Sequence, residues 1–570
     1  MTSRNWKKNK NLLIRVSLCA ASILLLIVAG TNAAQDRKIA AQASVAGPTE
    51  IEGELQVVHQ DFKHSGRYIY YLKTPQRVIR LHFRKTPPTN FLTGAHVRVR
   101  GTQQPDGSVM LASGGTSVKN MSAPTSSTTP PLLNTLGAQS TLVILVNFQD
   151  DPGNQPYTVA DAQSVVFGTT SSFILENSYQ QAWLSGEVVG WYTIPLSSTT
   201  CDASSIESYA QSAASAAGAD LSAYSHFIYA FPQDNACGWA GSSFIGGSPS
   251  QSWINGTNSS ASLDSHVLAH ELGHAFGLWH SHLLDCGTGS TIGSNCTVVE
   301  YGDILDTMGG SQPASPQYNA FQKERLGWLN SGASPSIATV QSSGTYTINT
   351  YETGGSGPTA LKILKSTDPA TGAKTWYYVE SRQAVGSDAF LTNGGCGSCY
   401  TQNETNGVLV HIGTDGDGNS SDLLDMTPAT PTYYWWFDPS LVAGQSFADP
   451  ASGVTLTAES VTSAAATVTV QFAGGMTVAT NQQSYNPGQT VSATATVTSE
   501  GSPVVKAAVK FTITKADGTL VTGTATTAKN GSATYNLKLK RNDPAGTYLV
   551  GAAASINGAS RSATTTFAVQ

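Results

Sequence analysis

One stretch of eleven residues constrains this 570-residue chain more than any other: His270-Glu271-Leu272-Gly273-His274-Ala275-Phe276-Gly277-Leu278-Trp279-His280, the pattern HExxHxxGxxH. Positions i and i+4 of an α-helix lie one above the other, so His270 and His274 aim both imidazoles at one ion. Glu271 then stands beside the ion, where a general base takes a proton from bound water without occupying a coordination position. Gly277 lets the chain leave the helix through a backbone conformation that is costly for other residues. Three residues on, His280 swings back as third ligand. Three protein ligands leave a fourth tetrahedral position for water, which suits a catalytic zinc and not a structural one. The plain alternative is an amphipathic helix with surface histidines, but five fixed residues in eleven are rarely met by chance. His266 shares the helical face without an acid after it and reads as an ordinary helix residue. His282 competes with His280 as third ligand, and the spacing from Gly277 favours His280.

A second element extends the pattern. Tyr301-Gly302-Asp303-Ile304-Leu305-Asp306-Thr307-Met308-Gly309-Gly310 comes next, its methionine 28 residues past His280, and Asn319 to Trp328 reads NAFQKERLGW. Together with the zinc pattern this resembles the metzincin peptidases, and within them the gametolysin-type family and its bacterial relatives, over roughly residues 138 to 330. The resemblance implies that Met308 lies in a Met-turn packed beneath the metal, as a structural residue. Some metzincins carry a tyrosine ligand two residues after that methionine; here the position is Gly310. Asp303 and Asp306 read as structural carboxylates that hydrogen-bond the turn.

Taken in order, residues 1–34 combine five basic and no acidic residues, an apolar run from Val16 to Gly30 and a short run of small residues after it, the composition of a secretory signal peptide. Residues 35–120 read as five short strands with Gly-containing turns, a small OB-like β-barrel placed as a pro-region. A polar, proline-bearing linker covers 121–137. The catalytic domain spans 138–335 and opens on the nearly unbroken apolar run Thr141 to Phe148, a strand buried on both faces. Within it Ser172 to Leu184 reads as a helix, Val188 to Ile194 and Ser225 to Phe231 as strands, and Gly238 to Gly246 as the edge strand that pairs with extended substrate in the family resembled. Alternating strands over 336–474 predict a β-sandwich, and 475–570 resembles an Ig-like β-sandwich. The fold class is therefore multidomain α+β, a metzincin-like protease domain between β-rich flanks.

Six cysteines come after Cys19, an even number that in an exported chain means disulfides. Their clustering pairs Cys201 with Cys237, Cys286 with Cys296, and Cys396 with Cys399; a redox or metal role for the last pair is the alternative. No cysteine lies between Cys19 and Cys201, so latency cannot use a pro-region thiol.

Charge separates the parts. Residues 35–135 hold twelve basic and six acidic residues, and residues from 136 onward hold 14 basic and 31 acidic. The basic pro-region is expected to dock on the acidic catalytic domain and mask its cleft. The acidic remainder argues against nucleic acid and anionic membranes as partners. Between Lys119 and Lys323 there is no Lys or Arg, so a protease cutting after basic residues cannot process the linker beyond Lys119.

These observations converge on a secreted, monomeric zinc metalloendopeptidase made as a zymogen. It acts on peptide bonds of extracellular proteins, with Glu271 as general base and acid and His270, His274 and His280 on Zn2+. The competing reading is a surface adhesion protein that carries a protease-like domain. Asp415-Gly416-Asp417-Gly418-Asn419 has acid spacing that could hold Ca2+, but it lacks the closing glutamate of an EF-hand, and a plain turn is favoured.

Overall fold

The computed structural model describes residues 49–570 apart from 64, 85–86, 113–116, 122–131, 133, 257–261, 311–314, 369, 392–402, 431–437, 473, 500–501 and 557–558. The signal-peptide segment, most of the linker, and Cys396 and Cys399 lie outside the described residues.

Strands β1 (Thr49–Phe62), β2 (Ser65–Lys73), β3 (Val78–His82), β4 (His96–Gln103) and β5 (Val109–Leu111) form a closed barrel. Its order is β1-β2-β3-β5-β4, and β4 returns to pair with the first half of β1. A short β6 (Val118–Asn120) adds to β4. Alternation within each strand sends Leu55, Val57, Tyr70, Leu72, Ile79, Leu81, Val97, Val99, Val109 and Leu111 inward, all nearly or fully buried. The barrel is not sealed from the central region of the chain, because Ile245 and Trp279 belong to the same apolar cluster.

Next come β7 (Gly137–Phe148), α1 (Val159–Ser164), α2 (Ser171–Asn177), β8 (Ala182–Ile194), α3 (Ala203–Ala216), β9 (His226–Phe231), β10 (Trp239–Phe244), β11 (Ser250–Asn255) and α4 (Ser265–Ala275). The strands run in the order β10-β11-β9-β7-β8, parallel except for β10, and β10 is not the free edge the sequence predicts, because its outer side pairs antiparallel with β1 and joins this layer to the barrel strands. The apolar run of β7 is the middle of this layer. Val143 and Leu145 face α1, α2 and α4, while Leu142, Ile144 and Val146 face α3. Covering a sheet by helices on both faces is what makes such a strand apolar throughout.

The helix expected over Ser172 to Leu184 is shorter than that. It stops at Asn177, the chain turns through Tyr179 and Gln180 at φ 52° and 67°, and Ala182 to Leu184 already belong to β8. The Ser178 hydroxyl accepts from the amides of Gln181 and Ala182, a local hydrogen-bonded turn that competes with helix continuation.

After α4 the chain runs into β12 (Ser281–Asp285) and β13 (Thr297–Val299), then α5 (Ala320–Leu326). Strands β14 (Ile337–Val340), β15 (Gly344–Asn349), β16 (Ala360–Thr367), β17 (Lys374–Glu380), β18 (Gly407–Thr414) and β19 (Asp417–Leu424) come after it. The second large sheet runs β13-β12-β19-β18-β17-β16-β14, so the strand just after the histidine motif lies parallel to β19. A four-stranded sheet containing β15 faces it across a shared apolar core. The Asp415 to Asn419 segment comprises the two-residue turn after β18 and the start of β19, where Asp415 accepts from the Trp376 indole and Asp417 from the Thr89 hydroxyl. Residues 475–569 fold into two further sheets around a core of their own. Disulfides join Cys201 to Cys237 and Cys286 to Cys296. No helix among the described residues is long and apolar enough to cross a membrane.

Candidate metal centre

Helix α4 starts where Asp264 caps it, accepting from the amides of His266 and Val267 at 2.9 and 3.3 Å. It ends at Gly277, whose φ of +103° carries the chain out of the helix. The amides of Gly277 and Leu278 then bond back to the carbonyls of His274 and Gly273. This exit brings His280 beside the two helical histidines, and His270 Nε2 and His280 Nε2 stand 3.3 Å apart. The Ser281 amide, bonded to the Met308 carbonyl, fixes the exit strand over the turn below. Met308 itself is fully buried, and its sulfur would lie 2.3 Å from a Cβ placed on Gly273. A helix this close to a methionine tolerates only glycine there.

The outer nitrogens of the three rings determine what the inner ones can do. His270 Nδ1 donates to the Thr307 carbonyl at 2.7 Å, and His274 Nδ1 to the Leu278 carbonyl at 2.9 Å. Carbonyl oxygens only accept, so both Nδ1 atoms carry the proton and both Nε2 atoms of the neutral rings present lone pairs. His280 Nδ1 is paired with the Glu300 carboxylate in the same sense. The three Nε2 atoms therefore face the same carboxylate, that of Asp61. Such outer partners are what orients metal-ligating histidines.

Burial pulls the His274 imidazole down to about 3, which keeps that ring neutral. His280 is also pulled down by burial, but Asp61 and Glu300 outweigh this and hold it above its ordinary value.

Glu271 lies beside these histidines with both carboxyl oxygens buried and no hydrogen-bond partner among the described residues. Burial, with the charge of Asp61 added, pushes it well above the usual carboxylate range. Its carboxyl presses on β10, where a Cβ on Gly241 would meet Glu271 Oε1 at 1.9 Å.

His282 stands outside the set. Its Nδ1 donates to the Ser421 carbonyl at 3.2 Å, and it pairs with Asp422 and with the far oxygen of Glu300. His266 makes no polar contact with the other rings, its centroid 6.4 Å from that of His270. Asp303 accepts from the Ser281 hydroxyl and the Leu305 amide and pairs with His411; Asp306 accepts from the amides of Met308 and Asn319. Both carboxylates hold the turn, and neither reaches the three rings.

Three groups at the centre are not marked as site residues by the sequence. Glu300 precedes the YGD triplet without a pattern of its own. Tyr301, legible only as part of that triplet, adopts a left-handed φ of 55° and lies tilted against His280 with ring centroids 4.3 Å apart. Asp61, from the barrel strand β1, brings a carboxylate to within 2.9 Å of His280 Nε2, 3.2 Å of His270 Nε2 and 3.6 Å of His274 Nε2. The donor atoms of His59, Asp61, His274 and His280 all lie within 4.8 Å of one another.

The donor set fits a zinc ion. A tetrahedron with metal–nitrogen bonds of about 2.0–2.1 Å has edges of roughly 3.4 Å, the scale of the separations here. Three imidazole nitrogens facing one carboxylate call for positive charge between them, which a metal ion or added protons supply.

Residues 174–394 match the family described as gametolysin peptidase M11, and residues 475–569 match the MG2 domain. The first match supports a gametolysin-type peptidase. No curated protein matches the chain. Among solved structures, the sporulation control protein Spo0M of Bacillus subtilis shares 15% identity over 17% of this chain and 49% of that one, with a TM-score of 0.13. A CARDB domain from Pyrococcus furiosus shares 15% over 17% of this chain and 87% of its own, at 0.14. Salmonella α2-macroglobulin reacted with methylamine shares 23% over 22% of this chain and 9% of its own, at 0.15. The first three structures are spanned over only 49%, 48% and 31% of their length. At such TM-scores these likenesses carry no argument.

Proposed function

We propose that the gametolysin-type peptidase region is a zinc-dependent endopeptidase, made for export as a zymogen and acting on extracellular proteins. His270, His274 and His280 hold the ion through Nε2. Bound there, zinc supplies acidity to a water and polarises a peptide carbonyl. The observation that carries the reading is the gathering of three imidazole Nε2 atoms on one carboxylate beside an unpartnered buried carboxyl, Glu271.

The chain's own residues divide the work. Glu271 Oε takes the proton of the attacking water and returns it to the departing amine nitrogen. Strand β10 is the antiparallel end of the central strands, paired in this structure with β1, and an extended peptide lies along it by main-chain hydrogen bonds once β1 has left. Gly241 on that strand leaves the space in which Glu271 moves. The Tyr301 hydroxyl, beside His280, donates to the carbonyl oxygen as charge gathers on it. Glu300, Thr307 and Leu278 keep the rings in the tautomer the ion needs. The linker without basic residues is cut by the enzyme itself or by a protease of similar taste.

The test is hydrolysis of a denatured protein by the processed chain, beside a Glu271→Gln variant shown to hold one zinc. Activity lost with chelator, restored by zinc and reduced about 10²–10⁴-fold or more in the variant supports the mechanism. A zinc-loaded, processed wild type that cleaves nothing refutes it.

A further inference from the structure

We infer that Asp61 is the fourth ligand of this centre in the uncut chain, delivered by a barrel strand that lies in the substrate's own track. The inference rests on the zinc peptidase reading and adds a residue and an occupant that the histidine motif does not contain.

The backbone comes first. The second half of β1 pairs antiparallel with β10, from Val58 opposite Phe244 to Asp61 opposite Gly241. This is the strand on which a substrate would lie, and Asp61 falls opposite the glycine against which Glu271 packs. Between Asp61 and Phe62 the register slips by one residue, with Phe62 opposite Trp239. A bulge bends a strand and re-aims a side chain, and this one lies where the carboxylate meets the three rings.

The carboxylate is then held from two sides other than the histidines. His59 Nδ1 donates to Oδ2 at 3.0 Å, and the Tyr301 hydroxyl donates to Oδ1 at 2.8 Å. His59 is itself locked, its ring 4.3 Å from Tyr68 and its far nitrogen 2.4 Å from where a Cβ on Gly66 would be. With these donors on its flanks, the face of Asp61 toward His270, His274 and His280 meets their three Nε2 atoms at 3.2, 3.6 and 2.9 Å, the nitrogens that would hold the ion. An anionic oxygen completes the tetrahedron there, leaving no room for the water that Glu271 would activate. Tyr301 is meanwhile occupied on the carboxylate. One side chain therefore blocks the water, and its strand blocks the peptide.

Docking of the barrel holds the strand in place. Trp279, adjacent to His280, lies in the barrel's apolar cluster with its ring 4.6 Å from that of Tyr68. The Thr93 amide bonds to the Ile245 carbonyl at the end of β10.

The test uses the full chain with Glu271→Gln, its uncut length checked by mass spectrometry, loaded with one equivalent of Co2+. Its visible spectrum is compared with that of the same chain carrying Asp61→Ala or the near-isosteric Asp61→Asn. If Asp61 is the ligand, both changes alter the d–d bands, and acetohydroxamate binds the Asp61→Ala chain about tenfold or more tightly than its parent, because the competing ligand is gone. With Glu271 intact, uncut Asp61→Ala chain cleaves a short peptide while uncut wild type does not. Identical spectra and equal acetohydroxamate affinity in chains that all hold cobalt would overturn the assignment of Asp61 and leave the peptidase reading standing. Failure of every chain, the parent included, to hold cobalt would remove both.

Discussion

The chain carries two all-β regions at its described ends, and they relate to the middle in opposite ways. The apolar cluster of the N-terminal barrel includes Ile245 and Trp279 of the central region, and Val58 and Ile69 of the barrel lie in the cluster beneath the central sheet. Its first strand pairs with β10 and extends that sheet. The core of the C-terminal sandwich runs from Val478 to Val569 and takes in nothing from outside 475–569. Its strands pair only among themselves. A module with a private core adds a property without changing the site, whereas one that shares its core and a sheet edge is coupled to it. The match of 475–569 to the MG2 domain fits the first description.

The largest effect should come from cutting the shared core. Trp279 is fully buried between the two regions, and Trp279→Ala should cost about 3–5 kcal/mol. Calorimetry of the full chain should show the loss in a transition that the barrel and the central region share. If only the barrel melts earlier, the two are not coupled as described. The counterpart is Phe511→Ala in the private core, where the residue is fully buried against Tyr535. A similar loss of about 3–5 kcal/mol should fall on the C-terminal transition alone, with the others unmoved.

How much of this is legible in the sequence depends on the range of each interaction. The three histidines and Glu271 lie within one helix and its exit, where spacing and a glycine determine geometry, and in the structure the rings of His270, His274 and His280 lie with centroids 4.9, 5.2 and 5.0 Å apart. The barrel strands are visible as alternation, although β1 runs on to Phe62, past the Val58 where its apolar pattern fades. Those four extra residues contain Asp61. A single acid in a polar strand end has no periodicity and no motif, and its meaning depends on a histidine 209 residues away in the chain. Glu300 is silent for the same reason. The overlong helix after Ser172 shows the converse failure, in which helical propensity continues on paper through a turn made by a serine hydroxyl.

A smaller effect is expected on removing the private module altogether. A chain ending at residue 474 should hydrolyse a soluble protein within about twofold of the full chain, since no group near the three histidines depends on the sandwich. A larger loss would mean that the C-terminal region reaches the site after all, and the contrast between the two ends would fail.

The smallest effect concerns the seam between barrel and central sheet. Glu207 on α3 is pushed up to about 7, chiefly by burial, with Lys73 of the barrel strand β2 opposing the shift. A carboxyl raised in the folded state favours its neutral form there. Its contribution is complete below its ordinary value of 4.5 and is lost as the pH rises through about 7. The shared transition of barrel and central region should therefore fall in temperature between pH 5 and 8, and Glu207→Gln should flatten that slope. Lys73→Met removes the opposing charge, so it should raise the Glu207 value further and steepen the slope; the C-terminal transition should ignore both changes. A slope that survives Glu207→Gln unchanged would place the titrating group elsewhere and remove this seam from the account of how the two regions are joined.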